Sequence, residues 1–427
     1  GDMAGDVFGN GMLLSKHIKL VGAFNHMHIF VDPLPNSAES FKERERLFNL
    51  PRSSWDDYNK HLISKGGGVF SRTAKSIAVS KEMKRVFKIE QNTIEPNELI
   101  RVMLQAEVDL LWSGGVGTFV KATSESAFEV GDRTNDAIRI NATALRCRVV
   151  GEGGNLGFTQ LARIEYALHG GLIYTDFIDN SAGVNCSDKE VNIKILLNRL
   201  VAAKKLTLPK RNELLASMTD EVAHLVLRDN ILQTQAISLL VNLSVGAFDL
   251  HTRYLSALED SGRLDRALEF IPDEKILNER KLSGKGLASP EISVVLCYSK
   301  IQLKEAILAS DVPEEPCLLP YLLKSFPEPL QVRFKSAIQE HPLKREIIAT
   351  KLSNIIVNEM GFSFVFRLQN ETGAPASAVV RAYMIARNIF NMCSIWQEIE
   401  DLSSSIKAEH QTEVIISCVR LLRRTTR

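Results

Sequence analysis

Glycine is unevenly spread along these 427 residues: 19 of the 25 lie at or before Gly183, and six are scattered over the remaining 244. Glycine weakens a helix interior but serves wherever a backbone turns sharply or another group must approach it closely. A chain divided in this way predicts two parts. The first alternates short β-branched runs with helical stretches and glycine turns, which is how parallel strands with crossover helices read. Strands are expected at residues 18–24, 29–32, 108–112, 148–151 and 173–178. From about Asn192 the pattern becomes helical almost without interruption. Leu214, Met218, Val222 and Leu225 recur at three and four residues, and Ser289-Pro290-Glu291 reads as a capping serine before a proline. The fold class expected is α/β, an incomplete Rossmann-type doubly wound sheet followed by a mainly α-helical C-terminal region. The boundaries expected are 1–190 for a nucleotide domain, 191–283 for a helical segment and 284–427 for a helical C-terminal domain, the last break marked by Gly284-Lys285-Gly286.

Composition narrows the function classes. Lys plus Arg number 52 against 51 Asp plus Glu, so a net charge of +1 gives no electrostatic reason to expect nucleic acid or an anionic membrane as partner. The arginines of residues 420–427 form the one basic cluster and read as a helix end. Six cysteines without a CxxC pair fit free thiols in a reducing cytosol, and no apolar run approaches the roughly 20 residues a bilayer needs. A cytoplasmic protein is expected.

The candidate chemistry lies in glycine turns after strands. Gly1-Asp2-Met3-Ala4-Gly5 reads as the second half of a dinucleotide-binding turn, its first half and strand expected upstream. A Cβ there would hold the backbone away from a pyrophosphate. Asn25 lies 20 residues beyond Gly5, where an acidic residue normally meets the adenosine ribose. An amide there can still bond a ribose hydroxyl, but it does not decide between NAD and NADP. The segments 112–118 (WSGGVGT) and 151–155 (GEGGN) each follow a strand candidate, and open α/β sheets bind ligands at the carboxyl ends of strands. Asn180 lies in a third segment, 179–184, ahead of Ser187-Asp188-Lys189-Glu190, which fits a capping box and so gives Ser187 a structural role beside a ligand role. His26 and His28 share a strand face with no third ligand but Asp32, so no metal is expected.

Several longer strings belong together. GDMAGDVFGNGMLLS, HIFVDP, WSGGVGTFVKA, VGDRTNDAIRINATALR, VVGEGGNLGFTQ, DNSAGVNCSDKEVNIKILL, GLASPEISVVLCYSK, HPLKREIIATKLSN and FRLQNETGA resemble the large NAD-specific glutamate dehydrogenases of bacteria. The resemblance implies NAD as cofactor and oxidative deamination of L-glutamate to 2-oxoglutarate and ammonia, with hydride passing from the α-carbon to C4 of the nicotinamide. It implies an iminium intermediate, hydrolysed with help from a lysine and an aspartate of a substrate domain that precedes the cofactor domain. No catalytic residue is therefore assigned within this chain, which should not turn over glutamate alone. The resemblance matches Gly1, Met3 and Gly5 to the pyrophosphate turn, Gly114 and Gly115 to the loop beside the adenosine or nicotinamide ribose, Asn155 to the nicotinamide end, and Asn180 to the asparagine that opens the last strand-end loop. Val184 and Ser187 fall where the family's substrate side-chain pocket receives a valine and a serine. Asn25 departs from the acidic residue expected. The helical part resembles the family's C-terminal extension, for which either subunit contacts in a homo-oligomer or regulation is expected. The competing expectations are a non-catalytic nucleotide-binding or assembly module, or another amino-acid dehydrogenase.

Overall fold

A computed structural model describes residues 10–402 and 405–427, so the turn formed by Gly1, Met3 and Gly5 lies outside the described residues. The chain divides into two compact units, 1–180 and 181–427.

The first unit is mixed α/β. Strands β1 (Gly22–Phe24), β2 (His28–Val31) and β3 (Gly68–Ser71) form an antiparallel sheet, and β4 (Ile77–Ala78) pairs with β5 (Thr93–Ile94) in the same sense. The parallel strands come as two pairs rather than one continuous sheet: β6 (Leu110–Ser113) with β9 (Val149–Glu152), and β7 (Val120–Lys121) with β8 (Ile140–Asn141). Strand alternation splits the core in two. Ile29 and Val31 enter a large cluster with Leu99, Ile100, Val120 and Val150, while Phe30, between them, stacks on Trp55 at 4.6 Å beside Leu47 and Tyr58. Helix α1 (Ser37–Asn49) starts where Asn36 accepts hydrogen bonds from the amides of Ala38 and Glu39, and α2 (Gln160–Leu168) follows the loop after β9.

Two sequence expectations change here. The run 18–24 does not enter a parallel sheet. Asn25 reverses the chain by accepting from the amides of Met27 and His28 at 2.9 and 2.8 Å, so β1 and β2 pair antiparallel. The run 173–178 is not a strand. Val149 bridges to Leu172 only, after which Asp176 accepts from the amide of Phe177 and the chain makes a helical turn, Asp176–Asp179.

The second unit is helical. Its first long helix, α3 (Ser181–Ala202), is continuous through Ser187, which corrects the expected capping box. A cap must leave the helix, and Ser187 instead donates back to the carbonyl of Gly183 at 3.2 Å. Then come α4 (Leu208–Ser217), α5 (Thr219–Leu243), α6 (Phe248–Asp260), α7 (Glu274–Leu282), α8 (Ser289–Leu308), α9 (Lys344–Met360), α10 (Ala376–Ile389) and α11 (Ala408–Thr426), with shorter helical segments between. Every residue of α8 from Pro290 to Leu296 is buried, so the first two turns are enclosed on all sides and the helix forms the centre against which α5, α9 and α10 pack. Its cap sits one residue earlier than expected: Ala288 donates its amide to the buried Glu291 carboxylate, which Arg280 also holds at 2.7 Å. Among the described residues no single helix is long and apolar enough to cross a membrane.

Candidate functional site

β6 and β9 run parallel with Trp112 beside Gly151 and Ser113 beside Glu152, so both strands end at one edge and release their glycine loops side by side. The amide of Gly154 donates to the carbonyl of Ser113 at 2.9 Å, and a Cβ on Gly154 would run into the carbonyl oxygen of Gly115. A Cβ on Gly151 would fall 2.7 Å from the Trp112 ring, so the indole covers the glycines of the next strand while remaining 51% exposed. A Cβ on Gly114 would meet only the edge of that indole, at 3.1 Å. Asn180 donates through Nδ2 to Asn155 Oδ1 and to the carbonyl of Gly154, the latter at 3.3 Å. Of the residues singled out in the sequence, the structure thus brings Gly114, Gly115, Asn155 and Asn180 together at one strand-end edge.

The loop after β6 is anchored from below. Asp132 accepts from the amide of Thr118 at 2.8 Å and from Asn135 Nδ2 at 2.7 Å, while the buried Arg139 donates to the carbonyl of Thr118 at 2.9 Å. Burial pushes the Asp132 carboxyl up, but the bonds from Asn135 and Thr118 and the Arg139 charge outweigh it and hold the group below its ordinary range. Gly117, at φ +124°, occupies backbone space that only glycine adopts easily.

The loop after β9 rests on a buried charge network that the sequence reading missed. Glu152, fully buried, grips Arg163 through two bonds of 2.7 and 3.0 Å, and the same guanidinium reaches Asp176 at 3.1 Å. Asp176 accepts from the amide of Leu156, and Asp179 from the amide of Glu152 at 2.9 Å. Two carboxylates therefore share one guanidinium, and a third, Asp179, lies close enough to feel its charge. Burial pushes Asp179 up to about 6, helped by the charge of Glu152. The available signal was the pair Asp176 and Asp179, three residues apart immediately before Asn180, in a run otherwise apolar.

The other candidates lie elsewhere. Asn25 spends its Oδ1 on the β1–β2 turn, while its buried Nδ2 has no hydrogen-bond partner among the described residues. Val184 and Ser187 belong to the second unit, exposed on one face of α3.

Residues 1–240 match the family described as bacterial NAD-glutamate dehydrogenase, catalytic domain, and residues 284–427 match glutamate dehydrogenase, C-terminal. The NAD-specific glutamate dehydrogenases of Halomonas elongata and Pseudomonas aeruginosa are each 52% identical over 427 residues, all of this chain and 26% of each relative. That of Mycobacterium tuberculosis is 46% identical over 405 residues, 93% of this chain and 25% of its own length. The chain spans about a quarter of the length of these relatives. It belongs to the bacterial NAD-glutamate dehydrogenase family.

Proposed function

We propose that this chain is the cofactor-binding part, with a helical extension, of an enzyme that oxidises L-glutamate to 2-oxoglutarate and ammonia with NAD. The observation that carries the reading is the meeting of Gly114, Gly115, Gly154, Asn155 and Asn180 where a parallel strand pair ends, the place at which open α/β sheets bind ligands. The loops suit a flat ligand with phosphates. Their backbones approach as only glycine allows, and the space over Gly114 is bounded by an indole edge.

NAD, when bound, accepts a hydride at C4 of its nicotinamide. This chain's part is to hold and orient it. Gly1, Met3 and Gly5 take the pyrophosphate, Gly114 and Gly115 the ribose beside them, and Asn155 and Asn180 the nicotinamide end. Asn25 has only Nδ2 left to offer a ribose hydroxyl, which makes it a donor where the usual carboxylate accepts. Val184 and Ser187 receive the substrate side chain, and the lysine and aspartate for proton transfer come from a substrate domain outside these residues. Residues 1–190 form the cofactor domain in this scheme, 191–283 and 284–427 the helical parts, and the latter serve subunit contacts in a homo-oligomer. Thiols without disulfide partners, such as the exposed Cys186 and Cys393, support a cytoplasmic setting.

The test is NADH formation from L-glutamate by a protein of the relatives' full length. Asn155→Ala should lower kcat/KM by about 10–100-fold, and Gly154→Val, which forces the two loops apart, should abolish turnover while far-ultraviolet circular dichroism stays unchanged. A fully active, folded Gly154→Val enzyme ends the reading. Light scattering on protein truncated at 283 tests the oligomer: an unchanged assembly removes the subunit-contact role.

A further inference from the structure

The helical unit contains a second concentration of charge, on the sides of α3, α5, α8 and α9 that turn toward one another, and α5 packs against each of the other three. Asp229 of α5 is the carboxylate that its lysines face among the described residues. Lys189 Nζ and Asn185 Nδ2, both from α3, each lie 3.0 Å from Asp229 Oδ2. One turn further along α5, Gln233 accepts from Lys300 Nζ of α8 at 2.7 Å. Lys351 of α9 faces the same carboxylate, and it has no hydrogen-bond or ion-pair partner among the described residues.

Three ammonium groups thus surround one carboxylate. The next cations outward are already matched, Arg228 by Glu400 at 3.1 Å and Arg387 by Glu359 at 2.6 Å, so neither neighbour supplies a spare negative charge. Lys189, Lys300 and Lys351 are all partly buried. Burial lowers Lys351 and holds Lys300 down at about 8, while the charge of Asp229 pulls both back up. Desolvated charge without a counter-charge is among the costliest arrangements in a protein interior, and well-packed apolar side chains would fill the same space at lower cost. On α3, Asn185 and Lys189 lie on a different face from Val184 and Ser187, which remain exposed.

We infer that the lysine cluster where α3, α5, α8 and α9 meet binds a small dianion through carboxylate or phosphate oxygens, with Lys351 and Lys300 as its charged contacts and Asp229 keeping Lys189 in place beside them. The excess of two positive charges matches a doubly negative ligand. Gln233, freed from Lys300, can turn its amide to donate. The inference goes beyond the dehydrogenase reading and stands independently of it.

The test uses the full chain at pH 7 and constant ionic strength, with sodium chloride, succinate or inorganic phosphate, read by thermal unfolding and isothermal calorimetry. At roughly ten times its dissociation constant, one of the dianions should raise Tm by about 3–5 °C over chloride. Succinate acting alone identifies a dicarboxylate site, phosphate acting alone a phosphate site. Lys351→Met and Lys300→Met should each abolish that rise while increasing the Tm of the anion-free protein. Asp229→Asn, which removes the competing carboxylate and keeps an oxygen for Lys189, should tighten the anion by about 3–10-fold. No rise beyond chloride, a rise that survives both lysine substitutions, or an affinity unchanged in Asp229→Asn would each overturn the proposal.

Discussion

Arg163 in the first unit and Arg387 in the second both lie inside the protein and both grip a buried glutamate, yet their surroundings differ. Arg163 serves Glu152 and Asp176, with Asp179 close behind, so carboxylates outnumber it three to one. Arg387 meets a single carboxylate, Glu359, which also accepts from the hydroxyl of Tyr383. One site carries surplus negative charge directly beneath the glycine loops; the other is neutral and sits among packed helices. Local compromises of this kind gather where a protein holds a ligand, because stability alone selects balanced pairs or none. The contrast therefore separates charge kept for positioning a site from charge kept for joining helices.

The largest effect expected from this contrast is at Arg163. Arg163→Met leaves three carboxylates without a cation and should cost about 3–5 kcal/mol in urea unfolding, partly recovered below pH 5 as the acids protonate. Arg387→Met leaves one carboxylate that keeps its Tyr383 bond, and should cost less. If Arg387→Met proves the more damaging, the distinction between the two sites is wrong.

Acid should act through two buried groups, one in each unit, in opposite directions. Burial holds His251, packed 4.5 Å from Phe362, down at about 4, and its Nδ1 has no partner. The unfolded histidine takes up its proton near 6.5, so the stability this group supplies is fully present above that value and is lost as pH falls toward 4, by about 2–3 kcal/mol. His251→Phe, which keeps the ring contact, should flatten that part of the pH profile. Asp179 has the opposite sign. Its folded pKa of about 6 lies above the unfolded value near 3.9, so its ionisation removes stability as pH rises between these limits. Asp179→Asn can still accept from the Glu152 amide and should gain about 1–2 kcal/mol at pH 7 and nothing at pH 4, measured as the shift in urea midpoint against wild type. A gain of equal size at both values would mean that the carboxylate is not the destabilising group.

How far the sequence foretold this arrangement depends on the range of the interaction. The division into a glycine-rich α/β part and a helical part was legible, because turn chemistry and helical periodicity are local. So were the loops after β6 and β9, since two glycine turns after apolar runs leave few other readings. The β1–β2 reversal was not, because it rests on one asparagine side chain choosing its own backbone over a continued strand. Ser187 and Glu190 matched a cap by spacing, but the helix had already begun six residues earlier at Ser181, where Asn230 from α5 donates to the serine hydroxyl. The Arg163 network and the lysines around Asp229 join residues 11 to more than 100 positions apart, which no spacing rule reaches.

The smallest effect separates structure from function most sharply. Ser187 Oγ does no more in this chain than return a bond to Gly183 within its own helix, and serine is a weaker helix former than alanine. Ser187→Ala should therefore raise stability by about 0.3–0.5 kcal/mol, a shift near the limit of urea denaturation. In a full-length enzyme that uses this hydroxyl for the substrate side chain, the same substitution removes one hydrogen bond made in both ground and transition states, so KM for L-glutamate should rise about 10-fold with kcat nearly constant. Ser187→Thr, which keeps the hydroxyl, should restore most of the affinity. A stabilised variant with an unchanged KM would show that Ser187 serves the helix alone, and the substrate pocket would then have to be built from other residues.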